Sequence, residues 1–172
     1  AVAPLDGYLS LKTTLNNYLA SGVDASKFIM AVPYYGREWK TRSSGVPATT
    51  SSYVKAPTYT HIKNSYYPNY TVKWDDKSAT HYVVRKVSGT IRQCWFDSEE
   101  SLGRKYDLAL ENDIGGVGMW ALGYDHGHHD LWDLLEDKFT QCRDEEYQDI
   151  STQEEPKPLY QRIIEDYFDY DN

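Results

Sequence analysis

Residues Lys27–Trp39 read KFIMAVPYYGREW. The first half, Phe28–Val32, is a continuous apolar run of the kind found in a buried core strand. The second half holds two tyrosines, a glycine, an arginine and a tryptophan, which are costly to bury unless something uses them. A rigid apolar strand that ends in such a cluster fits an eight-stranded β/α barrel, where the C-terminal ends of the strands face the active site. Val117–Leu122, VGMWAL, followed by Gly123–Asp130, GYDHGHHD, repeats the arrangement.

Working outward, Leu11, Leu15, Tyr18 and Leu19 recur at helical spacing, and Gly22 is placed to end that helix. The order helix, short loop, strand is one step of an α/β structure. From Lys40 to about Gly89 the texture turns to Ser, Thr, Pro and Tyr. There Thr71–Trp74 and Tyr82–Val87 predict half-exposed antiparallel strands, and Tyr59–Lys63 a helical turn. Ile91–Phe96 predicts another strand. Ser98, followed by Glu99 and Glu100, predicts a helix start, and that helix runs to about Asn112. Gly115-Gly116 breaks the chain before the strand Val117–Leu122. Asp130–Phe139 predicts an amphipathic helix with Leu131, Leu134, Leu135 and Phe139 inward. A strand–helix–strand–helix order without a hairpin turn implies a parallel sheet. The expected class is α/β with a small α+β insertion, and a family resemblance carried by these segments implies the C-terminal portion of a (β/α)8 TIM barrel. The segments are barrel over 1–39, insertion over 40–90, barrel over 91–142 and an acidic tail over 143–172.

The chain of 172 residues carries a net charge of −8, which excludes nucleic acid as a natural partner. Residues 143–172 hold ten acids against three bases, so most of that charge belongs to the tail. Upstream of Pro158 the tail has the low hydrophobicity of a linker, and Leu159, Ile163, Ile164 and Tyr167 give one short amphipathic patch. Aromatic residues reach 15%, with sixteen Tyr and five Trp, side chains that suit the C–H faces and hydroxyl edges of sugar rings. No apolar run approaches the ~20 residues needed to span a bilayer. Cys94 and Cys142 lie far apart, and an oxidised pair and two inert thiols stay equally open. Asn69-Tyr70-Thr71 has the form of a glycosylation acceptor, a tripeptide common by chance. The Asp125–Asp130 loop is rich in His and Asp but lacks a metal-ligand spacing, so no metal and no cofactor is expected.

Four pieces in order resemble the C-terminal half of glycoside hydrolase family 18, the chitinase type. Lys27–Trp39 is similar to its seventh barrel strand and the Pro-aromatic-Tyr-Gly-Arg turn. Residues 40–90 sit where many members carry an α+β insertion. Cys94-Trp95-Phe96-Asp97 is similar to the strand after it, and Gly115–Asp125, GGVGMWALGYD, to the eighth strand. The resemblance covers about residues 4–140. It implies a substrate-assisted, retaining hydrolysis of β-1,4 links between N-acetylglucosamine units, in chitin or peptidoglycan-like polymers. It also implies that the general acid, a Glu that closes a fourth-strand signature, lies outside these residues. The aspartates of Asp166–Asn172 repeat that signature's spacing, but they sit among acids on a helical pattern and read as tail.

By the same resemblance Trp120 is the platform beneath the sugar, and Tyr35 and Arg37 are polar grips. Tyr34 points the other way and packs. Trp39 either widens the sugar cleft or covers the insertion. Asp97 either meets a sugar hydroxyl or, the favoured reading, caps the helix at Ser98. Trp74-Asp75-Asp76 reads as a solvated turn. Three functions stand side by side: part of a chitinase-like enzyme, a non-catalytic lectin-like saccharide binder or peptidoglycan hydrolase, and a structural remnant. The expected partner is an N-acetylglucosamine oligosaccharide or polysaccharide, with the missing barrel half or a second chain completing the sheet. The expected location is outside the cell, at its surface or in a periplasm. A partial barrel leaves sheet edges unpaired, and instability in isolation is expected.

Overall fold

The computed structural model describes residues 1–140. The acidic segment 143–172, its short amphipathic patch and Cys142 lie outside the described residues. The chain divides into two units, Ala1–His128 and a second that begins at His129.

In the first unit, helix α1 (Leu11–Ala20) starts where the Ser10 side chain accepts from the Thr13 amide. It ends before Gly22, whose φ of +89° lies in the left-handed region. Strand β1 (Ile29–Pro33) follows a short 3₁₀ turn, Ala25–Lys27. Next come β2 (Arg37–Thr41), β3 (Thr50–Lys55) and a three-residue helix α2 (Tyr59–His61) that widens into a π-type turn over Ile62–Tyr66. Strands β4 (Lys73–Asp75), β5 (Thr80–Val87) and β6 (Thr90–Phe96) precede helix α3 (Glu99–Glu111) and strand β7 (Gly116–Trp120). The second unit contains α4 (Asp130–Phe139), at the predicted position.

These strands form two sheets. β1 and β7 make a parallel pair, in register from Ile29 opposite Gly116 to Pro33 opposite Trp120. The other five make an antiparallel sheet in the order β3-β2-β6-β5-β4. The parallel sheet inferred from strand–helix–strand order therefore joins β7 to β1. Ile91–Phe96 pairs antiparallel with β5 and β2 instead. The cause is local. Ser88 and Gly89, with φ of 48° and 79°, form a two-residue turn of the type that closes a tight hairpin between β5 and β6. The antiparallel sheet takes in residues on both sides of the 40–90 stretch, from Arg37 to Phe96. β1 also departs from a fully buried strand. Met30 and Val32 are buried but Ile29 is 58% exposed, because only one face of the strand is covered among the described residues.

One core lies against the antiparallel sheet, with Ile62, Tyr66, Val83, Cys94 and Phe96 buried and Tyr70 and Val72 packed on them. Cys94 is an unbonded thiol there, and burial pushes its ionisation well above the usual thiol range. A thiol-alkylating reagent is expected to leave Cys94 untouched in the folded chain and to label it fully in denaturant. Peptide mapping of the labelled site checks this.

The approach to β7 is tight. The Gly115 amide donates to Ala25 O at 2.9 Å, and a Cβ on Gly115 would stand 2.2 Å from Ser26 O. Gly115→Ala must displace backbone, with an expected cost of about 1–3 kcal/mol. A lowered denaturant midpoint at unchanged slope is the readout.

Candidate saccharide site

The parallel pairing brings the C-terminal ends of β1 and β7 side by side, and past them the Tyr34 amide donates to Trp120 O at 2.9 Å. The alternation of an extended chain then separates the two tyrosines. Tyr34 turns inward, 1% exposed, and its hydroxyl meets that of Tyr106 at 3.2 Å. Burial pushes the Tyr106 hydroxyl up to about 12. The packing role read for Tyr34 is the observed one.

Tyr35 is half-buried, pairs with Thr58 in a single β-bridge and presents its ring edge-on to Tyr124, with centroids 6.4 Å apart. The Arg37 guanidinium lies over the Tyr35 ring at 5.5 Å and over Tyr53 at 5.4 Å. Among the described residues no carboxylate pairs with it, so its donors keep their hydrogen-bonding capacity. Trp39, two residues further on the same face, meets Tyr53 edge-on at 5.4 Å. Opposite Arg37 in the register stands Trp95, stacked on Tyr82 with centroids 4.6 Å apart. An open cleft of about 530 Å³ is lined by Trp39, Trp95, Gln93, Val46, Tyr8 and Asp75. Trp120 ends β7 with 66% of its surface exposed, and its peptide bond to Ala121 is cis.

Tyr35, Arg37 and Trp39 thus form one continuous run of rings and charge through Tyr53. Trp120 ends β7, the parallel neighbour of β1, whereas Arg37 and Trp39 belong to β2 in the antiparallel sheet. Tyr53, Tyr82, Trp95 and Tyr124 were not singled out in the sequence. Only the cross-strand register and the loop after β7 bring them to this run.

Asp97 is elsewhere. Its carboxylate is 3% exposed and accepts from Lys105 Nζ at 2.5 Å, with Lys105 itself fully buried. Burial pulls the Lys105 ammonium below its ordinary range, against the opposing pull of Asp97. The cap of α3 is Ser98, in a reciprocal capping box with Ser101. The favoured capping reading of Asp97 is therefore corrected. A buried lysine in mid-helix requires a counter-charge, and Asp97 supplies it. The solvated-turn reading of Trp74-Asp75-Asp76 is corrected in part: Trp74 and Asp75 end β4 half-buried, and only Asp76 is an exposed turn residue. Asp75 accepts from the Ser78 amide, and the Trp74 indole packs on His81 and under Arg104. Among the described residues no group of His, Cys, Asp and Glu is arranged to hold a metal ion.

The opposite face of the antiparallel sheet carries Glu38, fully buried. It accepts from Tyr66 Oη at 2.6 Å and from Arg85 Nη2 at 2.7 Å, with Arg92 Nη1 at 3.5 Å. Burial alone would raise this carboxyl, but the Tyr66 and Arg85 hydrogen bonds outweigh it and hold Glu38 below the usual carboxylate range. The Tyr66 hydroxyl is pushed up by burial and by its bond to Glu38.

Residues 1–125 match the family described as Glycosyl hydrolases family 18. The chain belongs to that family. It is 27% identical over 146 residues to a probable di-N-acetylchitobiase 1 of Dictyostelium discoideum, a match that takes in 72% of this chain and 38% of that protein. The fold is similar to a family 18 chitinase of Cycas revoluta solved in complex with (GlcNAc)3. There the TM-score is 0.70 at 19% identity, over 78% of this chain and 40% of the other. It is also similar to a chitinase-like agglutinin of Robinia pseudoacacia, with TM-score 0.62 and 25% identity over 78% of this chain and 39% of that one. The family 18 chain described here spans about two-fifths of the length of these relatives.

Proposed function

We propose that this chain is the part of a family 18 hydrolase that carries the seventh and eighth strands of the β/α barrel and a saccharide-binding rim. The substrate is a β-1,4-linked polymer of N-acetylglucosamine, chitin-like, and the protein works outside the cell or at its surface. Trp120 offers a flat apolar face to the C–H side of the reacting sugar. Arg37 and Tyr35 hydrogen-bond its hydroxyl and acetamido oxygens, and Trp39 extends the contact along the chain of sugars. In the reaction the acetamido oxygen of that sugar attacks its own anomeric carbon while a carboxylic acid protonates the leaving oxygen; water then attacks the same carbon, breaks the bond to the acetamido oxygen and gives up a proton, and the two displacements together retain the configuration. These residues hold the sugar for that attack, and the general acid is assigned to none of them. Asp97 is left out of this rim, since it is buried and one of its carboxylate oxygens accepts from Lys105.

The observation that carries this reading is a tryptophan two-thirds exposed at the end of β7, beside β1, whose chain runs on through Tyr35 to Arg37, a guanidinium that no carboxylate pairs among the described residues. A large apolar ring left in water at a strand end suits a ligand floor.

Calorimetric titration of the protein with tri-N-acetylchitotriose, with product analysis in parallel, tests it. Saturable binding and release of shorter N-acetylglucosamine oligomers are expected. The absence of binding by the complete protein overturns the reading. Likeness to the agglutinin supports a second reading, a lectin-like binder. Saturable binding by the complete protein without any product selects it.

A further inference from the structure

Asn69-Tyr70-Thr71 takes no part in the proposed saccharide rim, and no other stretch of the sequence has the form Asn-x-Ser/Thr. That form is the acceptor for N-linked glycosylation. A bulky glycan is compatible with a fold only where the acceptor amide and the space beyond it face solvent.

Here the placement meets that demand. Asn69 and Thr71 are both exposed, in the turn that links the π-type turn to β4. The turn is held by backbone bonds and by packing beneath it. The amides of Asn69 and Tyr70 donate to Tyr66 O at 3.2 and 2.9 Å. The Tyr70 ring meets Tyr66 edge-on at 6.0 Å and packs on the core of Ile62, Val83, Cys94 and Phe96. That core covers the sheet face bearing Glu38, Cys94 and Val83, which stand opposite one another in the register. Arg37, Trp39 and Trp95 belong to the other face.

We propose that Asn69 is an N-glycan acceptor and that its glycan leaves the molecule on the side of the antiparallel sheet opposite Arg37 and Trp39. The donor class is an oligosaccharide linked through pyrophosphate to a lipid. Asn69 Nδ2 forms a bond to the anomeric carbon of the first sugar. The bond from that carbon to the pyrophosphate oxygen breaks, the lipid pyrophosphate leaves, and the amide gives up one proton. The resulting secondary amide keeps one N–H, enough for the bond Asn69 Nδ2 now donates to Ser65 O at 2.9 Å.

The inference rests on the extracellular reading above but not on saccharide binding, so the two fail separately. The complete protein is exported from a eukaryotic host, then examined by gel migration and peptide mapping before and after peptide N-glycosidase F. The expected result is a slower band that the glycosidase removes. Asn69→Gln and Thr71→Ala abolish the band shift, and Thr71→Ser restores it. Titration with tri-N-acetylchitotriose gives the same affinity with and without the glycan. An exported protein whose Asn69 peptide is unmodified overturns the acceptor assignment. A change in oligosaccharide affinity on deglycosylation overturns the placement.

Discussion

Trp120→Ala weakens binding of N-acetylglucosamine oligomers about thirty-fold and leaves the stability of the fold nearly unchanged. The first half follows from the role of a platform. Truncating a central aromatic contact typically costs about 2 kcal/mol or more, and each 1.4 kcal/mol is about tenfold in affinity. The second half follows from exposure. A tryptophan removed from a core costs about 3–5 kcal/mol, but Trp120 is 66% exposed and fills no part of the interior. Its loss stays near the ±0.5 kcal/mol of a surface change. Calorimetry and a thermal melt on the same preparation separate the two. A collapsed melt, or an unchanged affinity in the folded protein, contradicts the assignment.

Glu38→Ala is expected to have the largest effect on stability, about 3–5 kcal/mol, since it strips the partner from buried cationic and hydroxyl groups. Tyr66, buried, would lose its acceptor, and Arg85, only partly exposed, its ion-pair partner. Against a typical total of about 5–15 kcal/mol, such a loss leaves little of the fold. The same contacts set a pH dependence. The folded-state carboxyl of Glu38 ionises below its unfolded value, so its contribution is complete above that ordinary value of about 4.3. The contribution is lost as pH falls through the folded value. Denaturant midpoints between neutral and acid pH should fall for the native chain, and fall less for Glu38→Gln. Equal slopes in the two proteins would remove Glu38 as the cause. Because Glu38 faces away from Arg37, ligand affinity of the folded fraction stays unchanged.

The elements with local signals were legible in the sequence. Leu15 at helical spacing and Gly22 mark α1, Ser98 and two acids mark the start of α3, and Leu131 with Leu135 marks α4. β3 was not legible. Its TSSYVK is mostly exposed, so no apolar alternation records which face is covered. The sheet to which Ile91–Phe96 belongs depends on the Ser88-Gly89 hairpin, whose turn chemistry is weak in sequence. The following helix then suggested a parallel crossover. For the site, the cluster at the strand end together with the family resemblance named Tyr35 and Arg37, and the resemblance alone named Trp120. The rings that continue it, Tyr53, Tyr82 and Trp95, come from strands whose register no single segment specifies. Asp97 has a signal in the sequence. Lys105 lies on the same helical stripe as Leu102 and Ala109, and a lysine there asks for a nearby acid. Glu38, alternating with Arg37 and Trp39 along β2, posed the same question, and its answer, Arg85, lies in a distant strand.

The most direct test of the saccharide rim is a crystal structure of the complete protein with tri-N-acetylchitotriose. The rim predicts one sugar ring lying flat on the Trp120 indole, with Arg37 and Tyr35 within hydrogen-bonding distance of its oxygens. A sugar bound elsewhere, with Trp120 and Arg37 both untouched, would contradict it.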